Sequence, residues 1–400
     1  MLILKKNKCL DCGPLKTSHF LQWVEDILAI LPSGRVFLPA RQKYFFNNLI
    51  DRAFLFLGLT RLSDNLENEQ ISLRSRVFFR EALKKNIKIW AIKSSYGPIN
   101  QFLMEVGGKK HTFEGLPRAD FLHQKISFRV DDKAVVKKIL EQNGIPSAFG
   151  RSFGFWQARK ALEWADSQKI YPCVVKPRFG SMSQHVSLNI KNKESLKSAI
   201  KKALQYSPFF ILEKFITNAF TYRATIVDQK FVACVKRLPA HIVGDGEKSI
   251  KELVEEKNQD PLRGNAGDKH CATFKIVIDE TSHKLFKEKK YTLKTIPASG
   301  ERVFLQEKVI LDIGADLEET TKTVHPDNYE LFCRVAKIFG VYLVGVDFLG
   351  EDIKKSWREQ NGAVLELNSL PYIDMHHYPT KGEPANIGEA LATMVESRYK

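Results

Sequence analysis

The sequence predicts an α/β protein of more than one lobe, and three observations carry that reading. The chain has 400 residues, more than one ordinary domain, and 44% hydrophobic with 27% charged residues suits packed cores rather than disorder. Helical and strand-like apolar spacings alternate along its length. Several strand-like runs end in a charged or amide side chain, which would gather chemistry where strands stop.

The elements follow in order. Residues 1–125 contain the helically spaced "TSHFLQWVEDILAIL" and the strand-like "NIKIWAIKS", with no motif of recognisable chemistry, and read as a short N-terminal α/β domain. The text changes at "VDDKAVVKKILEQNGIPSAFG", where Asp131 or Asp132 caps a helix with Val135, Val136, Ile139 and Leu140 on one face and Gly144 as its stop. A second segment, 126–222, continues with a helix in "FWQARKALEWADSQ", the strand "YPCVVKP", the loop "RFGSMSQHV", a helix in "NKESLKSAIKKAL" and the strand "FFILEKFI". In the third, 223–400, "YRATIVDQKFVACVKRL" reads as a hairpin turning at Asp228 and Gln229. "KSIKELVEEKN" and "HPDNYELFCRVAKIFG" read as helices, the latter opened by Pro326 and closed by Gly340. "VYLVGVDFLG" and "AVLELN" are the last strands.

Charge and cysteine usage narrow the classes. Net charge is +16, and residues 1–125 hold 20 Lys and Arg against 11 Asp and Glu, a surplus of +9. Such a surface attracts acidic substrates, while the lack of an aromatic-rich recognition motif argues against nucleic acid. The apolar runs fall short of the ~18–20 residues that cross a bilayer, and the N-terminus has its charges in the wrong place for a secretory signal, so a cytoplasmic protein is expected. Of the six cysteines only Cys9 and Cys12 are spaced like metal ligands, and a zinc site there needs further ligands such as His19.

The chemistry gathers at strand ends. Lys176 closes a buried-looking strand, and Pro177 and the loop 178–185, with Gly180 and Ser181, can lay backbone N–H groups and one ammonium along a polyphosphate. The loop does not match G-x-x-x-x-G-K-[ST]. Asp347 closes another strand. Glu366 and Asn368, two apart, project to the same side of theirs. Together they supply three hard oxygen donors of the kind magnesium takes beside nucleotide phosphates.

This order of parts resembles the ATP-grasp superfamily, and within it the carboxylate–amine ligases of the cyanophycin synthetase and glutathione synthetase type. The likeness runs from about residue 126 to 400, on "YPCVVKPRFGS", "ILEKFI", "RLPAHIVGDGEKSIKELVEEKNQDPLRG", "VHPDNYELFCRVAKIFGVYLVGVDF" and "LELNSLPYIDMHHYPTKGEP". It implies an ATP-grasp fold behind an N-terminal α/β domain. It also implies an ADP-forming ligase that activates a carboxylate as an acyl phosphate for attack by an amine. Lys133 and Lys176 match the phosphate-binding lysines, Glu213 and Lys214 the strand at the adenine, and Asp347, Glu366 and Asn368 the ligands of two Mg2+ ions, with Mn2+ as an alternative. Arg223 and Arg237 match arginines facing the acyl phosphate, where a planar fork suits anionic oxygens. His376 matches a substrate-holding polar position.

The sequence departs from the pattern at four places. Ser183 and His185 stand where glycines are common. Phe220 and Thr221 replace a ribose-binding carboxylate. Tyr372 replaces a glycine after the proline near the metal site. "DIGADLEET" replaces the substrate-side loop of the cyanophycin synthetases, and their second, Mur-type ligase module is absent. The expected substrates are a small-molecule or peptide carboxylate and amine, acidic ones included, without membrane partners and with a homo-oligomer open. Two rival readings are a catalytically silent ATP-binding interaction module and a ligase that modifies a protein tail.

Overall fold

The computed structural model describes residues 18–30, 40–68, 70–95, 97–123, 130–180 and 183–400. Cys9, Cys12 and Ser181 lie outside them. By packing, the chain divides into one unit of Met1–Val36 with Ala148–Thr217 and another of Phe37–Ser147 with Asn218–Lys400. These limits do not follow the three expected segments. Position 125/126 lies inside the second unit, and 222/223 inside the continuous strand Phe220–Val227.

The first unit is an antiparallel sheet in the order Gly150–Gly154, Phe209–Lys214, Cys173–Pro177, Ser187–Ile190. Helices Ala158–Ser167 and Lys193–Leu204 bury Ala161, Ala165, Leu196 and Ile200 with Val175, Phe210 and Leu212 in its core. Asn192 caps the second helix by accepting from the Ser195 N–H at 2.9 Å. The first described helix, His19–Ile30, joins this unit rather than the sheet of residues 61–114. Its Trp23 Nε1 donates to Leu204 O (3.1 Å), and Ser207 Oγ donates to Asp26 Oδ2 (2.5 Å).

Among the described residues the second unit holds two larger sheets and two small ladders. Arg61–Ser63, Lys88–Ser94, Gly97–Val106 and Lys109–Glu114 form a meander in chain order. Helix Leu73–Lys84 packs with the last helix, Ile387–Arg398, so closely that a Cβ at Gly388 would lie 2.8 Å from Val77 O. The other sheet runs Asp316–Glu319, Lys230–Leu238, Phe220–Val227, Leu343–Gly350, Ala363–Asn368, antiparallel throughout. The hairpin between its second and third strands turns at Asp228 and Gln229, with φ of +50° and +60°, the left-handed pair that matches strand twist in a two-residue turn.

Alternation decides what this sheet presents. Tyr222, Ala224, Ile226, Val344, Val346, Phe348 and Leu367 form one core with Leu331, Phe332, Val335 and Phe339 of helix Pro326–Phe339. The intervening residues face the other way. That helix begins at Pro326 after the His325 cap and stops at Gly340, φ +63°. Helix Lys133–Gln142 is capped by Asp132, whose Oδ1 accepts from the N–H groups of Ala134 (3.0 Å) and Val135 (3.3 Å), and this fixes Lys133 at its first position. Residues 241–305 add the small ladders His241–Val243 with Arg302–Phe304 and Arg263–Gly264 with Thr273–Phe274, which sequence spacing does not announce. No described helix is long and apolar enough to cross a membrane.

Candidate active site

The polar face of the five-stranded sheet carries the second unit's functional residues because register brings them level. Asp347 lies opposite both Arg223 and Glu366, and Gly345 lies opposite Thr225 and Asn368. Side chains opposite one another across antiparallel strands share a face, so five of these six residues project together and Gly345 leaves room among them. A Cβ at Gly345 would meet Arg223 Cδ at 2.9 Å and Pro371 Cβ at 3.1 Å. Arg237 comes from the neighbouring strand.

Asp347 is the hub. Arg223 donates to it through Nε, and again through Nη2 to Oδ2 at 3.1 Å, while Arg237 Nη2 donates to Oδ2 at 2.7 Å. Burial alone would push the Asp347 carboxyl up, but the two guanidiniums outweigh it and hold the group well below the usual carboxylate range. Glu366 is more open and lies 3.5 Å from Lys133 Nζ, whose helix packs on its strand. Three cations thus face two carboxylates. Arg223 Nη1, Arg237 Nε and Asn368 Nδ2 are buried without a hydrogen-bond partner among the described residues. Buried donors of this kind are costly unless a ligand completes them.

The donor set fits a hard divalent cation. It offers two carboxylates and an amide on one face, and the Asn368 amide can present its oxygen where the nitrogen now stands. No cluster of three or more His, Cys, Asp or Glu placed to hold a metal occurs among the described residues, so the amide is needed to make a third ligand. Magnesium bound by Glu366, Asn368 and Asp347 would neutralise phosphate oxygens. Asp347 would have to share its oxygens with the arginines.

His376, expected at a substrate-holding position, lies on the same side of the sheet as Thr225 and Glu319. It is fully buried, with Nε2 2.8 Å from Thr225 Oγ1 and Nδ1 3.2 Å from Glu319 Oε2. Burial lowers its pKa. With both ring nitrogens engaged, it braces the face beside Arg223. Sequence reasoning missed Glu319, and it also missed Asp316, whose buried carboxylate is gripped by Arg263, by Lys257 Nζ (2.5 Å) and by His241 Nδ1 (3.1 Å). Both lie in "DIGADLEET", the segment where the resemblance breaks off; three acids, Asp316, Glu318 and Glu319, in one four-residue strand were the available signal. A cavity of about 240 Å³ in this unit includes Asp51, Glu114, Asp120 and Asp131 in its wall, against Arg118 and His123, so the N-terminal region is not uniformly basic.

In the first unit, Lys176 and Glu213 lie on one face of the sheet as a buried pair, Nζ to Oε1 2.5 Å. Lys214 is exposed, and its backbone N–H donates to Phe149 O (2.7 Å). Gly180 has φ +101°, a conformation side chains resist. Ser183 and His185 adopt φ of +56° and +53°, so the loop keeps left-handed geometry without the expected glycines. His185 stacks on Tyr206, centroids 4.7 Å apart. At the other departures, Phe220 lies under the Lys236 ammonium at 3.5 Å and Tyr372 under the Arg74 guanidinium at 4.8 Å.

No family model matches the chain. It is 35% identical over 265 residues to cyanophycin synthetase of Trichormus variabilis, covering 66% of this chain and 29% of that protein. To the glutathione biosynthesis bifunctional protein GshAB of Clostridium perfringens it is 27% identical over 357 residues, covering 88% of this chain and 43% of the relative. The chain therefore spans less than half the length of these relatives. Its fold superposes on the crystal structure of a bifunctional glutathione synthetase from Pasteurella multocida with a TM-score of 0.61 at 22% identity, covering 82% of this chain and 44% of that one. On this sequence similarity the chain is a homologue of cyanophycin synthetase and GshAB, and its fold is of the ATP-grasp class.

Proposed function

We propose that the protein is an ATP-dependent carboxylate–amine ligase that releases ADP and phosphate and joins an amino acid or peptide carboxylate to an amine. The observation that carries this reading is the polar sheet face, where Arg223, Arg237 and Lys133 outnumber two carboxylates and buried guanidinium nitrogens lack partners among the described residues. Transfer of the γ-phosphoryl group to a carboxylate, and attack of an amine on the resulting acyl phosphate, both crowd negative charge that such preplaced cations stabilise. In the second step the C–N bond forms, the C–O bond to phosphate breaks, and the amine's proton passes to solvent.

We assign Lys176, Gly180, Ser181, Glu213, Lys214 and Lys133 to ATP, Asp347, Glu366 and Asn368 to two magnesium ions with manganese as a substitute, and Arg223 and Arg237 to the acyl phosphate. We also assign the phosphate loop to residues 126–222 and the metal site to 223–400, and give residues 1–125 no role in the reaction. Buried free thiols at Cys173, Cys234 and Cys333 suit a reducing, cytoplasmic setting. Chromatography of nucleotide products tests the mechanism across amino acids, short peptides and acidic oligomers. ADP with phosphate is expected. AMP formed with the amide would replace the acyl phosphate by an adenylate, and no ATP consumption with any substrate would leave a binding module.

A further inference from the structure

Two adjacent acids before helix Lys133–Gln142 divide two tasks. Asp132 caps the helix, while Asp131 turns to a distant part of the chain. Its Oδ2 accepts from the Ser369 hydroxyl at 2.8 Å and its Oδ1 from the Ser369 N–H at 3.2 Å, so both carboxylate oxygens grip one residue 238 positions away. Ser369 directly follows Asn368, the last residue of strand Ala363–Asn368. Two positions beyond Asp131, Lys133 Nζ lies 3.5 Å from Glu366 Oε2 on the same strand. The two contacts run side by side between the same two segments.

The rest of the helix is tied to this strand by other means. Val136 and Leu140 share a core with Val364 and Leu367, and beyond the helix the Val364 N–H donates to Pro146 O at 2.9 Å. That far tie is made by backbone and does not depend on side-chain identity. The near tie, beside Lys133, is made by the side chain of Asp131, which is exposed on a turn. An ammonium on a four-carbon stem reaches many positions unless its base is fixed. Fixing the base before a ligand arrives removes that ordering cost from binding, and misplacing a positioned group by ~1 Å can cost on the order of a hundredfold.

We propose that Asp131 is a positioning residue: by gripping Ser369 it holds Lys133 beside Glu366 and Asn368, so that nucleotide phosphates meet a cation already in place. This rests on the assignment of Lys133 to ATP made above. Asp131 itself touches no phosphate. It acts through the first turn of the helix, whose direction the grip sets and whose first residue is Lys133.

Calorimetric titration with the magnesium complex of a nonhydrolysable ATP analogue, and separately with adenosine, tests this on the full chain. Asp131→Ala should bind the analogue about fivefold more weakly or worse, and Ser369→Ala, which keeps the N–H donor, should be affected less. The double variant should match Asp131→Ala, because the two changes break one contact. Ser369→Thr keeps both donors and should bind like the wild type. Adenosine has no phosphate for Lys133 to meet, so its affinity should not change in any of these variants, and thermal midpoints should stay within about 2 °C. Equal analogue affinity in the wild type and Asp131→Ala overturns the positioning role; if Lys133→Ala is weakened in the same titration, the ATP reading stands. A parallel loss of adenosine and analogue affinity, with a lowered thermal midpoint, makes the grip a stability contact and also overturns the proposal. No binding of the analogue by the wild type overturns the ATP reading and the proposal with it.

Discussion

Asp347 and Glu366 are both carboxylates of the same sheet face, yet their surroundings give them different consequences on substitution. Asp347 is buried against Arg223 and Arg237, so Asp347→Ala leaves two buried guanidiniums uncompensated and should destabilise by about 3–5 kcal/mol in urea unfolding. Glu366 is 27% exposed beside Lys133, and Glu366→Gln should abolish turnover while leaving the melting temperature within about 2 °C. Full activity in that variant would remove Glu366 from the metal site. Asp374 behaves differently again. Burial pushes it up to about 6, above its unfolded value, so its ionised form is resisted by the fold. The cost is absent near pH 3, grows as pH rises through the unfolded and then the folded value, and is complete above about 7. Asp374→Asn should therefore stabilise by on the order of 3 kcal/mol at pH 7 and by little at pH 3.5, measured by urea unfolding at both.

Elements were legible where the signal was local. The Asp228–Gln229 turn sits between two alternating runs, and the helices at 133–142 and 326–339 carry their caps and stops in adjacent residues. The pairing of strands was not legible. That Arg223 and Arg237 grip Asp347 follows from register between positions 124 and 110 residues apart, which no window of sequence contains. The family resemblance singled out His376, but only the packed structure places Thr225 and Glu319 on its two nitrogens. At this scale the loop after Cys173–Pro177 makes a prediction. Ser183, held at φ +56°, bears a left-handed conformation costing ~1 kcal/mol, so Ser183→Gly should not destabilise the protein, whereas Gly180→Ala should, by ~1 kcal/mol or more, as read by thermal melting.

The charge of the whole molecule has a narrower meaning once the partners are known. Lys84 and Lys85, two of the cations that make residues 1–125 basic, are spent on Glu81 (2.7 Å) and Glu396 (3.1 Å). Lys109 and Lys110 make no ion pair among the described residues and stand exposed at a strand start. If the basic surface steers an acidic substrate, Lys109→Gln with Lys110→Gln should raise KM and flatten its rise with salt, since exposed charge acts only over ~8–10 Å at physiological ionic strength. A KM indifferent to both leaves the surface without a steering role.

The double arginine grip on Asp347 also bears on how the protein is handled and supplied in the cell. A site whose central acid is already neutralised from within the chain has no unmet negative charge for the fold to repair, so the folded state does not wait for an ion. Chelator treatment should leave the thermal midpoint unchanged while stopping catalysis at once, and restoring magnesium should recover activity without a refolding lag. The ion would then arrive as part of each nucleotide and leave with each product, making the protein's demand for metal a matter of turnover rather than of assembly.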